Sequence, residues 1–155
     1  AGMGKSFFVT ELDSNLSRSI AKGHLKNKEE LRKYHLNKTL GDKGIYSNPE
    51  ELFKWKIAFF DKGLIIPKSY LEMAITQQNI PKGKVAPAEM YGYGLRLEKS
   101  KFYGDLIYHG GLWRGYQNLM IYRPLDNIFI VFLSNFRNSA HKGKGTEVLH
   151  ILDGA

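Results

Sequence analysis

A strand-like period that begins at Tyr91 and runs to Leu133 constrains this chain more than any other feature. Tyr91 to Leu97 and Gly104 to Tyr108 read as strands, and Asn118 to Tyr122 is followed by Pro124-Leu125-Asp126-Asn127, a turn tetrad of proline and Asx residues. Ile128 to Leu133 is apolar on both faces, which places it centrally in a covered sheet. Strands joined this tightly pair antiparallel, because a parallel return needs a long crossover.

Helices are expected on either side of this meander. Asn48 can accept from the backbone N–H of Glu51, Pro49 suits a first helical position, and Glu51 can reach back to complete a capping box. The helix should run from Pro49 to about Lys62 and stop at Gly63. Leu52, Phe53, Trp55, Ile57, Phe59 and Phe60 cover one wide arc of it, as for a helix laid on a sheet. Lys56 falls inside that arc and either snorkels to its edge or faces a cleft. A second helix starts at Pro67 and carries Tyr70, Leu71, Met73 and Ala74, ahead of a loop from Gln77 to Met90. After the polar stretch Asn135 to Gly145, Thr146 caps a last helix with Val148, Leu149, Ile151 and Leu152 on one side. The expected class is α+β: an antiparallel meander flanked by helices, in one domain over residues 1–155. Within it, 1–43 is irregular, 44–90 helical, 91–135 antiparallel strands and 146–153 a C-terminal helix. The irregular third holds a short strand about Phe7, Phe8 and Val9 and a helical turn near Glu29 to Leu36.

Composition narrows the function. A chain of 155 residues with 43% hydrophobic residues supports one core and buries about 70% of its unfolded surface. The longest uninterrupted apolar run, Ile128 to Leu133, is far short of the roughly 20 residues of a bilayer helix. With no cysteine, disulfides and thiolate chemistry are excluded. The balance of 23 basic to 15 acidic residues gives a net charge of +8, but the basic residues are scattered. The densest stretch, Lys22 to Lys43, is interleaved with Glu29, Glu30 and Asp42 and lacks stacking aromatics on a common face. Nucleic acid is therefore not the expected partner, and a carboxylate-bearing or wall-associated substrate fits the charge equally well. None of His24, His35, His141 and His150 pairs at zinc-ligand spacing, so these are read as surface or loop residues, and neither a metal nor another cofactor is expected.

Two motifs invite a chemical reading. Gly4-Lys5-Ser6 imitates the end of a phosphate-binding loop but lacks the earlier glycine and the buried strand that such a loop requires. Tyr108-His109-Gly110-Gly111-Leu112-Trp113-Arg114-Gly115-Tyr116 is more informative. A histidine at a strand end followed by two glycines sets a polar ring beside backbone that no side chain screens, which suits an oxyanion or carboxylate site. The plain alternative is a glycine-rich strand end with a histidine that merely packs.

The order of segments decides between them. Gly2-Met3-Gly4-Lys5-Ser6-Phe7-Phe8, Gly44-Ile45-Tyr46-Ser47 leading into Glu50-Glu51-Leu52-Phe53-Lys54-Trp55, Tyr91-Gly92-Tyr93-Gly94-Leu95, His109-Gly110-Gly111, Gly115-Tyr116 and Ile130-Val131-Phe132-Leu133-Ser134-Asn135 follow one another along nearly the whole chain. This series resembles the C-terminal part of the serine β-lactamase-like superfamily: class C β-lactamases, D-alanyl-D-alanine carboxypeptidases and related esterases. Those enzymes use a Ser-x-x-Lys nucleophile motif, a Tyr-x-Asn, and a Lys/His-Ser/Thr/Gly-Gly triplet on the strand edging the site. His109-Gly110-Gly111 matches the third. The resemblance implies that His109 orients the substrate carboxylate or carbonyl and tunes proton transfers, and that the backbone N–H of Leu112 is one oxyanion donor. Gly110 departs from the usual hydroxyl residue, which removes a substrate hydrogen bond.

The other two motifs are only imitated within the chain. Ser19-Ile20-Ala21-Lys22 and Ser139-Ala140-His141-Lys142 satisfy Ser-x-x-Lys but lack the buried helix that chemistry needs, and Tyr46-Ser47-Asn48 is better read as a helix start and cap. The expectation is the C-terminal part of a serine hydrolase, with nucleophile, lysine and tyrosine motif upstream of Ala1 and this chain inactive alone. Its substrate would be a small molecule or peptide, and its location periplasmic or extracellular by resemblance, with membrane or cell-wall association through the preceding region. A sheet lacking that region would expose an edge and dimerise or swap domains. The competing readings are a non-catalytic binding module on the same scaffold and a basic interaction protein.

Overall fold

Phe7–Phe8 (β1) pairs antiparallel with Ile45–Tyr46 (β2), so two residues of the apolar run near the N-terminus form a short strand, and Val9 lies outside the described residues. The computed structural model describes residues 1–8, 20–25, 30, 40–41, 43–78, 90–137 and 141–154, the last range without the side chains of His141 and Lys142. The turn expected near Glu29 to Leu36 lies outside them except for Glu30, as does most of the Gln77 to Met90 loop.

Helix α1 (Pro49–Lys56) starts as its sequence dictates, with the Asn48 side chain accepting from Glu51 N at 3.0 Å and Pro49 in the first turn. The reciprocal half of the capping box is not made. Glu51 is buried and its carboxylate accepts from Lys5 N at 2.8 Å and from Lys54 Nζ at 2.6 Å, tying the N-terminal segment to the helix. Ile57–Asp61 continue α1 as a π-helical turn, and Gly63 ends it at φ +59. Helix α2 (Lys68–Ala74) uses Pro67 as its N-cap residue.

Among the described residues the main sheet has five strands in sequence order: β3 (Met90–Tyr91), β4 (Arg96–Ser100), β5 (Gly104–Trp113), β6 (Tyr116–Arg123) and β7 (Ile128–Ser134), every neighbouring pair antiparallel. Three expectations need correction. Tyr91 to Leu97 is two strands rather than one, because Gly92 and Gly94 turn the chain, Gly94 at φ +72. Strand β5 runs to Trp113, well past Tyr108. Among the described residues, strand β7 is the edge of the sheet rather than its centre. Its residues are half-buried against helices except for the exposed Leu133, and that contact does not require a hydrogen-bonded neighbour on both sides.

The closing helix α3 (His141–Leu152) begins at His141, not Thr146, and runs through Gly143 and Gly145. Gly145 has a packing reason: a Cβ there would lie 2.5 Å from Ile121 Cδ1 and 3.0 Å from Leu119 Cδ2, so its absence lets the helix rest on the sheet. Thr146 Oγ1 donates to Gly143 O at 2.9 Å instead of capping. No helix among the described residues is long and apolar enough to cross a membrane.

The alternation of strands splits the core into two layers. On one face Leu106, Tyr108, Leu119 and Ile121 pack with Leu149 of α3, a fully buried side chain whose desolvation stabilises by about 2 kcal/mol. On the other face Leu95, Ile107 and Tyr122 pack with Ala74, Phe59 and Phe60. Arg123 Nη2 bonds Asp126 at 2.6 Å and Asp153 at 2.7 Å, joining the β6–β7 turn to the end of α3. Asn127, at φ +62, completes the turn that the Pro-Leu-Asp-Asn tetrad anticipates.

Candidate functional site

Strand β5 outruns its partner. Its pairing with β4 covers Gly104 to Tyr108, whereas its pairing with β6 continues to Trp113 opposite Tyr116. From His109 to Trp113 the β4-side edge therefore has no paired strand among the described residues. Gly110, Gly111 and Leu112 are exposed along it, Leu112 at 54%. The sequence-predicted residues thus share one open stretch of strand backbone, the arrangement to which an extended substrate can add its own hydrogen bonds. The two glycines are not required for packing at their backs. A Cβ on Gly110 would meet Asn118 O at 3.7 Å and one on Gly111 would meet Asn118 Cβ at 3.6 Å, both ordinary contacts. What they contribute is unscreened backbone on the solvent side.

Side chains mark each end of this edge. At its start, His109 Nε2 lies 2.9 Å from the Tyr91 hydroxyl. Burial, and then the nearby Arg96 charge, pull the His109 pKa below the usual histidine value, against a weaker opposing hydrogen bond at Gly110. The imidazole is therefore neutral at pH 7. At the other end, Lys43 Nζ sits 4.7 Å over the Trp113 ring.

The hairpin beyond Trp113 is fixed by the N-terminal segment. Arg114 at φ 44 and Gly115 at φ +86 form a tight two-residue turn of the kind that matches strand twist. Gly115 lies so close to Gly23 that a Cβ would come within 2.5 Å of its carbonyl carbon. Tyr116 donates to Ala21 O at 2.6 Å, and its ring meets Tyr46 edge-on at 6.0 Å. The backbone of His24 bridges to Glu30 and Phe136, so this histidine serves the scaffold.

On the sheet face that carries Ile107 lies an apolar groove of about 400 Å³ lined by Phe59, Ile66, Tyr70, Met73, Ala74 and Tyr93. The β3–β4 turn forms its rim, held to α2 by Tyr93 N donating to Ala74 O at 3.0 Å.

Of the imitated motifs, only Tyr46-Ser47-Asn48 lies wholly within the described residues. Tyr46-Ser47-Asn48 is the start of α1, with Ser47 Oγ 2.8 Å from Ser6 Oγ. Ser19 and Ser139 lie outside the described residues. No three His, Asp or Glu side chains among the described residues gather to hold a metal ion. Sequence reasoning missed Tyr91 as the partner of His109 and the Lys43–Trp113 contact. Two adjacent tyrosine-glycine pairs mark a turn without saying what a tyrosine within it touches.

Comparison with curated proteins returns no match. Among solved structures, the octameric penicillin-binding protein homologue from Pyrococcus abyssi superposes with a TM-score of 0.68 at 23% identity, covering 87% of this chain and 31% of that one. The penicillin binding protein from Bacillus halodurans superposes with a TM-score of 0.66 at 17% identity, covering 96% of this chain and 45% of that one. The chain thus spans less than half the length of either structure, and at these identities the likeness establishes the fold, an α+β arrangement of the penicillin-binding protein and β-lactamase type. The family model described as Beta-lactamase matches residues 8–153, and the chain belongs to that family.

Proposed function

We propose that this chain forms one wall of a serine hydrolase site that cleaves an amide or ester through an acyl-enzyme. The observation that carries the reading is the open edge of β5, where His109, Gly110, Gly111 and Leu112 lie together, in a His-Gly-Gly pattern that resembles the family's third motif. A serine supplied from upstream attacks the carbonyl, the leaving group departs with a proton, and water then attacks the acyl-enzyme. The Leu112 backbone N–H serves as one oxyanion donor and the nucleophile's own N–H as the other. His109, neutral, orients the substrate carboxylate or carbonyl. A location outside the cytoplasm is proposed from the family resemblance alone.

Gly110 bears on substrate choice. A family member with a hydroxyl at this place has one more hydrogen bond for the substrate, and the 3.7 Å clearance at Gly110 leaves room for it. In a chain extended upstream to include a Ser-x-x-Lys helix, hydrolysis of a p-nitrophenyl ester is expected, with weaker turnover of a penicillin. Gly110→Ser should keep the fold and raise penicillin turnover about tenfold, the equivalent of one hydrogen bond. Absence of hydrolysis of either substrate by the extended chain would favour the non-catalytic binding module instead.

The outer edge of β7 bears on assembly. It has no paired strand among the described residues and offers seven residues, Ile128–Ser134, almost all apolar. The isolated chain is expected to dimerise through it, and Leu133→Lys, a charge at an exposed edge position, should return it to monomer. Light scattering checks this, and a clean monomer at high concentration for the unaltered chain contradicts it.

A further inference from the structure

We infer that the loop joining α1 to α2, with the apolar groove that continues from it, is a docking surface for an anionic lipid membrane. Singly exposed apolar side chains are ordinary on a protein surface. Here they gather. Leu64, Ile65, Tyr70 and Met73 are all exposed within ten residues, Leu64 at 69%, and the exposed Tyr93 lines the same groove as Ile66, Tyr70 and Met73. A contiguous apolar patch of this kind, rimmed by polar groups, marks a surface that meets a partner. Its exposure is held by the backbone. Leu64 N donates to Ala58 O at 2.8 Å, Gly63 turns at φ +59, and Pro67 O accepts from Tyr70 N and Leu71 N as α2 begins. Leu64 and Ile65 are thus presented to solvent by a braced turn.

Charge and ring chemistry select the partner. The apolar run Leu64-Ile65-Ile66 is bracketed by Lys62 and Lys68, both exposed and neither with a side-chain ion pair or hydrogen bond among the described residues. Elsewhere Lys54, Lys56 and Lys144 are each paired with a carboxylate. Over residues 56–74 Lys56 and Asp61 neutralise each other, which leaves Lys62 and Lys68 against Glu72 alone. Tyr70 and Tyr93 add amphipathic rings whose hydroxyls have no hydrogen-bond partner among the described residues. Apolar tip, tyrosine rings and flanking lysines match in turn the hydrocarbon, the interfacial layer and the phosphates of a membrane surface. A protein segment laid over the same patch would instead desolvate two unpaired cations.

The test is flotation of the 155-residue chain with vesicles of phosphatidylcholine alone and of equal parts phosphatidylcholine and phosphatidylglycerol. Binding to the mixed vesicles is expected, with little to the neutral ones. Leu64→Ser combined with Ile65→Ser should lower partitioning about tenfold or more, and Lys62→Gln and Lys68→Gln about fivefold each. Two changes on the β4–β5 turn are controls: Phe102→Ser, at a side chain 88% exposed, and Lys101→Gln should leave binding unchanged. If the serine variant fails to fold, the lysine variants against Lys101→Gln decide. Absence of binding to the mixed vesicles overturns the inference. So does binding that the serine variant retains, which is adsorption by the net charge of +8 alone. Loss of binding in a chain extended upstream overturns it in favour of the added segment as occupant. Self-association relieved by the serine variant but not by Leu133→Lys, without vesicle binding, overturns it in favour of a protein interface. Flotation needs no turnover, so its outcome is separate from that of the hydrolase reading.

Discussion

Truncating Asp61 to alanine is expected to destabilise the chain by about 3 kcal/mol, whereas Lys56→Met is expected to cost less than about 1.5 kcal/mol. The asymmetry follows from which partner is buried. The Lys56 side chain is 1% exposed and that of Asp61 29%, and the two are joined at 3.0 Å. The ammonium also donates to Asn127 Oδ1 and lies 4.9 Å over the Tyr122 ring. Removing Asp61 strands a cation between helix and sheet, with only a neutral amide and a ring to face it. Removing Lys56 leaves a carboxylate that water can reach, and methionine refills much of the volume. At this chain length about 3 kcal/mol corresponds to a fall of roughly 9 °C in the melting temperature. Thermal unfolding of the two variants measures the difference, and a Lys56→Met loss equal to that of Asp61→Ala would contradict the account.

Gly92→Ala should be about as damaging, costing roughly 3 kcal/mol or more, for a different reason. A Cβ at Gly92 would fall 1.8 Å from the Ala74 carbonyl oxygen and 2.9 Å from its carbon. Both are backbone atoms, so relief requires the β3–β4 turn to lift off α2. That movement breaks the Tyr93 N to Ala74 O bond and displaces Tyr91 from His109. Gly94 in the same turn is the control. It has open space but a φ of +72, so Gly94→Ala meets only backbone strain, about 1 kcal/mol. Chemical denaturation of both variants separates the two costs, and equal losses would show that space at Gly92 is not the cause.

The sequence carried what depends on local chemistry. Asn48 and Pro49 announced the start of α1, Gly63 its end, and the Pro124 to Asn127 tetrad the β6–β7 turn, because caps and turns are decided within a few residues. Features decided across the fold were read less well. The dual apolar faces of Ile128 to Leu133 suggested a central strand, since periodicity reports which faces are covered and not which edges are paired. The start of α3 was hidden by Gly143 and Gly145, which weaken a helix locally and are retained, at Gly145, for contact with Ile121. Lys56 stood on an apolar arc with two readings open, and the structure adopts neither the snorkelled nor the cleft-facing one: its partners, Asp61 and Asn127, come from the next turn and from a distant hairpin.

The candidate site divides in the same way. His109-Gly110-Gly111 was legible because a histidine ahead of two glycines is a local pattern, and the order of segments around it singled out a family. The early end of β4, which leaves β5 open from His109 onward, was not legible, nor was the Tyr91 hydroxyl that reaches across to the imidazole. Both depend on how far one strand outruns another.

The central claim is that this chain supplies a wall of a serine hydrolase site and not its nucleophile. Intact-mass detection of covalent labelling tests it most directly, with a serine-reactive fluorophosphonate and, separately, a penicillin. The account predicts no adduct on the 155-residue chain and a stoichiometric one on a chain extended upstream. An adduct on the 155-residue chain that maps to Ser19 or Ser139 would contradict it.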